Sequence, residues 1–474
     1  MITPPNKSYC FDNCELTELK SFLDANYSPV FYVFYDAFIF FETQLQQKGF
    51  SVQQRPHRED LEQSLFVLER LLCLLPQLFT RRWQCNALTH VFKKLLHRGN
   101  NIRLRREGCR LFILWYMIVG ESKTPDMDAM FASLVPGFPT PPPRAVLPTT
   151  SSDGTKVSPI EAMAIIPSSS TDKTPDDITA YFLSSLLDFM VTQVRKVEWR
   201  GGTKTEHCHV AFSYLFSMFR AVYLPYIFPN FSSSNSLYRP NLELPELRSS
   251  PGKSLYGTCQ VVLIRWVRQY VSSVPPATQP PLSRQHTGNA SLIVLSYKQD
   301  ELVLVIRING FSDASAGEEA RLVREVLFST RSNVNFIHEL FRQALCLSFR
   351  YSEAIKTVIL CYRDWIQMTG DVPIFLLEPS ECDSEELESP GSQTDGGRRG
   401  RSDSYLVAIN RDNNVRAGLQ NVLQVFVTSA ANVFLLQVSP DYPLLLDEQV
   451  EHCKHVLNTY RYMVMNTRME RKTW

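Results

Sequence analysis

Residues His97–Tyr116 read HRGNNIRLRREGCRLFILWY and place five arginines directly before an almost unbroken apolar run. Such a segment could be a nucleic-acid-binding arm, a membrane anchor or an ordinary amphipathic helix. In a helix, four apolar residues share one stripe: Leu104, Leu111, Trp115 and Ile118. Three arginines fall about 100° away: Arg103, Arg106 and Arg110. We therefore predict one helix with an apolar inner face and a basic ridge.

The basic ridge belongs to a larger group of basic residues. Between residues 81 and 110, Glu107 is the only acidic residue. The candidate interaction patch comprises Arg81, Arg82, Lys93, Lys94, Arg98, Arg103, Arg106 and Arg110. One interpretation is a basic-surface adaptor that binds anionic lipid or nucleic acid through residues 81–110. The alternative is a solvated helix face without a ligand. The net charge of +1 disfavours nucleic acid as the main partner.

The composition is that of a globular protein. The chain has 474 residues, of which 44% are hydrophobic and 20% are charged, so it can form several packed units or one elongated repeat array. Its 11 cysteines form no CxxC pair, which predicts buried thiols in a reducing compartment. No segment reaches the ~18–20 apolar residues of a membrane span, and the start lacks a secretory signal. We expect a cytoplasmic protein that could also enter the nucleus.

Hydrophobic periodicity predicts an all-α fold. Leucines recur at helical spacing through residues 59–79, and Ser28 and Pro29 look like the start of another helix. Paired helices that recur about every 40 residues are typical of a degenerate armadillo/HEAT-like solenoid. An ordinary all-α domain is the alternative. The segment 291–310 alternates β-branched residues around a polar centre and is a candidate β-hairpin.

The chain alternates between helical units and linkers that are rich in Pro, Ser and Thr, a composition that buries too little apolar surface to fold. The predicted organisation is an N-terminal helical repeat unit (1–135), a disordered linker (136–177), a helical unit (178–275), a linker with the candidate hairpin (276–317), a helical unit (318–377), a disordered regulatory linker (378–412) and a C-terminal helical unit, expected to be truncated (413–474).

The sequence contains little that indicates catalysis. In EHCHV, the residues His207, Cys208 and His209 are adjacent, and adjacent residues on a helix diverge, so they do not predict a metal site. No phosphate-binding glycine loop, nucleophile elbow or zinc-protease motif is present. We predict no catalytic residue, no metal and no cofactor.

One regulatory motif lies in the last linker. RRGRSDS matches the R-x-R-x-x-S pattern of basophilic kinases, and its serines Ser402 and Ser404 are candidate phosphosites. A phosphate there would add about two negative charges beside arginines, which can order a segment or create a docking site.

A series of segments, in this order, resembles the N-terminal region of the Ral GTPase-activating protein α subunits. They are KKLLHRGNNIRLRREGCRLFILW, LVPGFP, YLPYIFPN, SLYRPNLELPELR, RSNVNFIHELFRQALCL, NVRAGLQNVLQVF and YRYMVMNTRMERKTW. The resemblance covers most of the chain outside its linkers. The chain departs from the family pattern in two ways: a basic leader is missing before the first shared helix, and segment 291–310 has no counterpart.

This resemblance implies a long helical part similar to that of tuberin, and a distant Rap/Ran-GAP-like domain that accelerates GTP hydrolysis by Ral through an asparagine thumb. It also implies a β subunit as partner. No residue of this chain matches the thumb, so the catalytic domain is expected to be absent. The leading hypothesis is a scaffold that supports GTPase activation through complex assembly, with Ral-type small GTPases engaged by the missing domain.

Overall fold

The computed structural model describes residues 16–47, 55–139, 164–168, 174–232, 255–271, 313–366, 422, 424–434 and 442–470. Every regular element in these ranges is a helix, and one isolated antiparallel β-bridge joins Asn100 to Pro167. The prediction of an all-α fold is therefore confirmed for this part of the chain. The solenoid arrangement stays a prediction, and the candidate hairpin at 291–310 lies outside the described residues. None of the described helices is long and apolar enough to cross a membrane.

The chain divides into two compact units, Met1–Pro229 and Asn230–Trp474. The sequence analysis placed residues 178–275 in one unit, whereas the observed division falls inside that range. Side chains of the second unit explain this difference. The carboxylate of Glu339 accepts a hydrogen bond from the backbone N–H of Ser232, and Gln343 Nε2 donates to the carbonyl of Asn230 at 2.9 Å.

The first unit contains nine described helices. They are α1 (Leu16–Gln47), α2 (Arg55–Leu74), α3 (Pro76–Thr80), α4 (Cys85–Leu95), α5 (Ile102–Val119), α6 (Pro125–Ala132), α7 (Ile178–Thr192), α8 (Lys204–Val222) and α9 (Leu224–Ile227). Polar side chains cap four of them, α5, α6, α7 and α8, because the first backbone N–H groups of a helix lack partners. Thr203 and Glu206, for example, form a capping box at the start of α8.

Helix α1 is bent at Asn26, which has non-helical dihedral angles of φ −124° and ψ 18°. Pro29 lies three residues further on. The predicted start at Ser28 therefore marks a kink within a longer helix, because a proline is also tolerated in the first turn after a bend. Phe31, beyond the kink, packs against Trp83, with ring centroids 5.0 Å apart.

Helix α5 is the centre of the first unit, with α2, α3, α4, α7 and α8 packed around it. Its residues from Leu111 to Val119 are all buried. Aromatic rings continue the packing into neighbouring helices: Trp115 stacks on Phe92 of α4 at 5.0 Å, and Tyr116 stacks on Phe131 of α6 at 4.8 Å. The helix is therefore buried on nearly all sides, and not only on one stripe.

Residues 164–168 are a short described segment between the helices α6 and α7. They lie within the range 136–177 that was predicted to be disordered, yet Ile165 and Ile166 are 0% and 7% exposed. Their backbone N–H groups donate to the side-chain oxygen of Asn100 at 2.7 and 3.1 Å. Hydrogen bonds from a partner 65 residues away allow this short apolar stretch to be ordered despite its surroundings.

The second unit contains α10 (Gly257–Val271), α11 (Asp313–Leu327), α12 (Arg331–Ala344), α13 (Ser352–Ile366), α14 (424–434) and α15 (Tyr442–Glu470). Trp365 of α13 anchors its core, since its indole N–H donates to the carbonyl of Val271 at 3.0 Å and its ring stacks on Phe341 at 5.5 Å. Thr330 caps α12, and its side chain accepts a hydrogen bond from the backbone N–H of Asn333.

The close approach of α4 and α5 gives the first testable prediction. A Cβ at Gly108 would lie 2.9 Å from Leu95 Cβ and 3.3 Å from its backbone, so Gly108→Ala must push the helices apart. We expect the free energy of unfolding to fall by about 1–3 kcal/mol, measured by urea denaturation. Gly317→Ala is the control, because Gly317 lies in α11 with nothing within 4 Å. It should leave stability unchanged or raise it by up to about 1 kcal/mol.

Candidate functional site

The candidate interaction patch is built around the start of α5. Asn101 caps this helix: its side-chain oxygen accepts a hydrogen bond from the N–H of Leu104 at 2.9 Å. Gly120 ends the helix with φ +54°, a left-handed conformation that a glycine adopts without strain. Because the helix between these two residues is surrounded by other helices, each arginine side chain points either into a helix contact or towards solvent.

Two of the arginines face α7. Arg105, which the sequence analysis left out of the patch, is 8% exposed and lies over the ring of Phe182, with Cζ 4.6 Å from the centroid. Burial lowers the pKa of this guanidinium. Arg106 lies over Phe189 at 5.0 Å, and its Nε donates to the hydroxyl of Ser185 at 3.3 Å. Both guanidinium groups are therefore engaged in packing α5 against α7.

Arg110 is the centre of an ion-pair network. Its two terminal nitrogens donate to both carboxylate oxygens of Glu69 on α2, at 2.6 and 2.7 Å, and it also binds Glu107 one turn earlier. The side-chain oxygen of Gln193, at the end of α7, accepts a hydrogen bond from Arg110 Nη1 at 3.2 Å. Lys196 reaches Glu69 from the segment after α7 at 2.8 Å. The network therefore joins α2, α5 and the end of α7.

This network changes the ionisation of its members. Burial alone would raise the pKa of the Glu69 carboxyl, but hydrogen bonds and charge from Arg110 and Lys196 outweigh it and lower the pKa to about 2. Burial acts against the charge of Arg110 as well, and the two carboxylates still raise the pKa of its guanidinium. Both groups therefore stay ionised across the physiological pH range.

The two lysines of the patch also have acidic partners. Lys94 forms an ion pair with Glu42 of α1, and only 17% of the lysine side chain and 5% of the glutamate side chain are exposed. Lys93 forms an ion pair with Asp126 of α6 at 2.7 Å, on the surface. Lys94 consequently joins α1 to α4, whereas Lys93 remains open to solvent.

The solvated ridge predicted on α5 is therefore wrong for Arg106 and Arg110, which are directed to partners inside the unit. The physical reason is that α7 and α2 cover the side of α5 where these arginines lie. Five members of the patch remain clearly exposed: Arg81, Arg82, Lys93, Arg98 and Arg103. Arg82 donates to the carbonyl oxygens of Ser122 and Lys123, at 2.6 and 3.4 Å. Whether the patch binds a partner stays a prediction.

The other chemical candidates do not form a reactive centre. His207 stacks on Trp199 at 5.6 Å and contacts the carbonyl of Gly201, whereas Cys208 is buried against the carbonyl of Val194. Burial raises the pKa of the Cys208 thiol. No group of His, Cys, Asp and Glu in the described ranges could hold a metal ion. The candidate phosphosites Ser402 and Ser404 lie outside those ranges.

Sequence reasoning missed Glu69, Arg105 and Asn100, each of which contacts a neighbouring element. The contact between Glu107 and Arg110 could have been predicted from the sequence, because residues three positions apart lie next to each other on a helix. Glu69 and Arg110 are separated by 41 residues, and no local pattern reports such a contact. Exposed apolar side chains on the outer face of α1 were missed as well: Phe22, Tyr32, Val33 and Phe40.

The site lies in a part of the chain that matches a known family model. A family model described as the RALGAPA1 N-terminal domain matches residues 8–208, which include the whole network. A probable Rho GTPase-activating protein, CG5521, from Drosophila melanogaster is 39% identical over 98% of this chain and 24% of its own length. The human Ral GTPase-activating protein subunit alpha-1 is 33% identical over 98% of this chain and 27% of its own length.

A pig protein, also described as Ral GTPase-activating protein subunit alpha-1, is 37% identical over 57% of this chain, and the match covers 85% of its length. The chain spans about a quarter of the length of the first relatives, from fly and human. No solved structure matches the chain. The helices α1 to α7 described above therefore provide a structural description of the region that the family model matches.

The Arg110 network predicts a large effect of a single substitution. Arg110→Met removes the cation and leaves two carboxylates partly buried, so we expect the free energy of unfolding at pH 7 to fall by about 3 kcal/mol. Arg103→Met is the matched control on the exposed side of the same helix and should cost no more than about 0.5 kcal/mol. Urea denaturation followed by circular dichroism measures both. Equal effects would contradict the assigned role of Arg110.

Glu69 predicts a pH dependence. Its pKa in the folded chain is about 2, below the ordinary value of 4.5. The ionised carboxylate therefore stabilises the fold above pH 4.5, and this contribution is lost as the pH falls towards 2. The loss should approach about 3 kcal/mol in the native sequence and be absent in Glu69→Gln. Glu62→Gln on the same helix should retain the acid-side loss, because burial and Glu107 raise the pKa of Glu62. Denaturation series at several pH values test this.

Proposed function

Because the chain belongs to the family of the Ral GTPase-activating protein α subunits, we propose that it is the helical scaffold of such a subunit. In this proposal it supports GTP hydrolysis by Ral-type small GTPases through assembly with a β subunit. The observation that carries the proposal is similarity to α subunits along 98% of the chain, at 33% and 34% identity.

The chemistry of the described residues supports a structural role over a catalytic one. Burial raises the pKa of the Cys73 and Cys109 thiols to about 12, so both are unreactive near neutral pH. The strongest charge cluster, around Arg110, is satisfied by side chains of the same unit. We therefore propose that the chain itself supplies no catalytic residue and that a Rap/Ran-GAP-like domain elsewhere in the α subunit acts on the GTPase.

We propose that two surface features of the first unit contribute to assembly. The outer face of α1 exposes Tyr32 and Val33, at 53% and 67%. Aromatic residues and arginines are enriched where protein interfaces derive most of their affinity. The exposed arginines Arg81, Arg98 and Arg103 would accelerate association with an acidic partner surface. The three arginines make no ion pair with any described residue.

The adaptor hypothesis receives less support from this geometry. Lys94, Arg106 and Arg110 belong to internal contacts, which reduces the number of cations available to phosphates. We also propose that the chain is located in the cytoplasm. Kinases of the cytoplasm would then have access to it, and we propose that they phosphorylate Ser402 and Ser404.

Charge reversal tests the assembly role. A variant with Arg81→Glu, Arg98→Glu and Arg103→Glu should bind the β subunit at least tenfold more weakly than the native chain in biolayer interferometry, mainly through slower association. Arg321→Glu is the control, because Arg321 is equally exposed but lies in the second unit. The chain alone should not accelerate GTP hydrolysis by Ral.

Two results would contradict this proposal. The first is a folded native chain that does not bind the β subunit at all. The second is binding to anionic vesicles or DNA that weakens steeply between low and physiological salt, with no binding to the β subunit, because that salt dependence is the signature of phosphate-driven association.

A further inference from the structure

A short strap of the chain is held at the corner between α4 and α5. The strap is residues 164–168, and we call its binding site the Asn100 clasp, formed by Gly99, Asn100 and Asn101. Asn100 is 1% exposed and uses its whole side chain. Its amide nitrogen donates to the carbonyl oxygens of Lys94 and Leu95, at 2.8 and 3.1 Å, while its oxygen accepts from the strap.

The clasp binds the strap mainly through the backbone. Asn100 Oδ1 accepts the consecutive N–H groups of Ile165 and Ile166, and the N–H of Asn101 donates to the carbonyl of Ile166 at 2.7 Å. The N–H of Ser168 donates to the carbonyl of Gly99 at 3.1 Å. Such contacts resemble those by which proteins bind extended peptides at a strand edge, where backbone bonds give affinity and side-chain pockets give specificity.

The side chains of the strap define the preferred ligand. Ile165 and Ile166 are buried, whereas Pro167 and Ser168 are exposed. A Cβ placed on Gly99 would lie 3.2 Å from Ala164 Cβ, so the strap passes close to the backbone of the clasp at this glycine. The site therefore suits a short segment with two consecutive β-branched apolar residues.

The network of α5 makes no use of the strap. Arg110, Arg106 and Lys94 take their side-chain partners from α2, α7 and α1, and the cap of α5 comes from Asn101. The helices around the clasp thus have contacts that are independent of the strap. Because the strap belongs to the same chain, an outside peptide competes with an effective concentration on the order of 1 mM.

We infer that the Asn100 clasp is a recognition site for a short apolar peptide segment of a protein partner, and that the strap 164–168 is an internal ligand that occupies it until the partner's segment displaces it. This inference is independent of the proposed role in Ral regulation, since it rests only on the clasp and its occupant.

A peptide-binding experiment on the full chain tests the inference. The probe is a fluorescein-labelled peptide with the sequence of residues 162–170, AMAIIPSSS, followed by anisotropy. The variant with Ile165→Asp and Ile166→Asp releases the strap and should bind the probe at least tenfold more tightly than the native chain. Adding Asn100→Ala to that variant should weaken binding at least tenfold.

Matched controls separate recognition from general effects of charge. A variant with Ile178→Asp and Val210→Asp changes two exposed apolar residues of the same unit and should bind the probe like the native chain. A probe in which both isoleucines are aspartates should not bind. Failure of the strap-released variant to bind better than the native chain, while it still melts cooperatively, would overturn the inference.

A second measurement covers the case in which the strap-released variant does not fold. Hydrogen exchange of the Ile165 and Ile166 amides is followed in the native chain, with and without unlabelled peptide at several times the effective concentration. Displacement predicts roughly tenfold faster exchange at these two amides and unchanged exchange in α7. Unchanged exchange at Ile165 and Ile166 under saturating peptide would mean that the strap is a fixed structural part.

Discussion

The bidentate ion pair between Arg110 and Glu69 is the interaction on which the position of α5 depends. Helix α5 is surrounded by other helices, and its first half carries several arginines that cannot all reach solvent. A cation in such a place destabilises the fold unless a carboxylate and further acceptors surround it. Glu69 on α2, Glu107 on α5 and Gln193 at the end of α7 supply these acceptors. The charge of Arg110 therefore holds α2, α5 and α7 together, although its burial alone would destabilise the fold.

This solution divides the basic residues by role. Arg105, Arg106 and Arg110 pack or pair inside the unit, while Arg81, Arg98 and Arg103 remain on the outside, where charges contribute little to stability. The same local composition therefore contains two kinds of arginine. A substitution that mixes them, such as joint reversal at Arg103, Arg106 and Arg110, would confuse loss of the fold with loss of a partner. The proposed scaffold role is best examined through the exterior arginines alone.

The sequence predicted the helices well because their apolar spacing is a local property. The long helix at residues 102–119 could be recognised in this way, whereas the family was recognised from the resemblance of several sequence segments. The direction of Arg110 could not, because Glu69 is 41 residues away and periodicity describes a helix without its neighbours. The strap escaped prediction for a related reason: five residues in a polar stretch have no periodic signal, and their order derives from the distant Asn100.

At the corner between α4 and α5, side chains that bind the strap are linked to contacts between the helices. The amide of Asn100 holds the carbonyls of Lys94 and Leu95, and the ammonium of Lys94 is in turn paired with Glu42 on α1. The clasp therefore has contacts to the helices as well as to the strap, and a site that is held in place in this way loses little conformational freedom when it binds. Recognition of a short apolar segment at this corner depends on the packed helices, and the linker contributes the ligand.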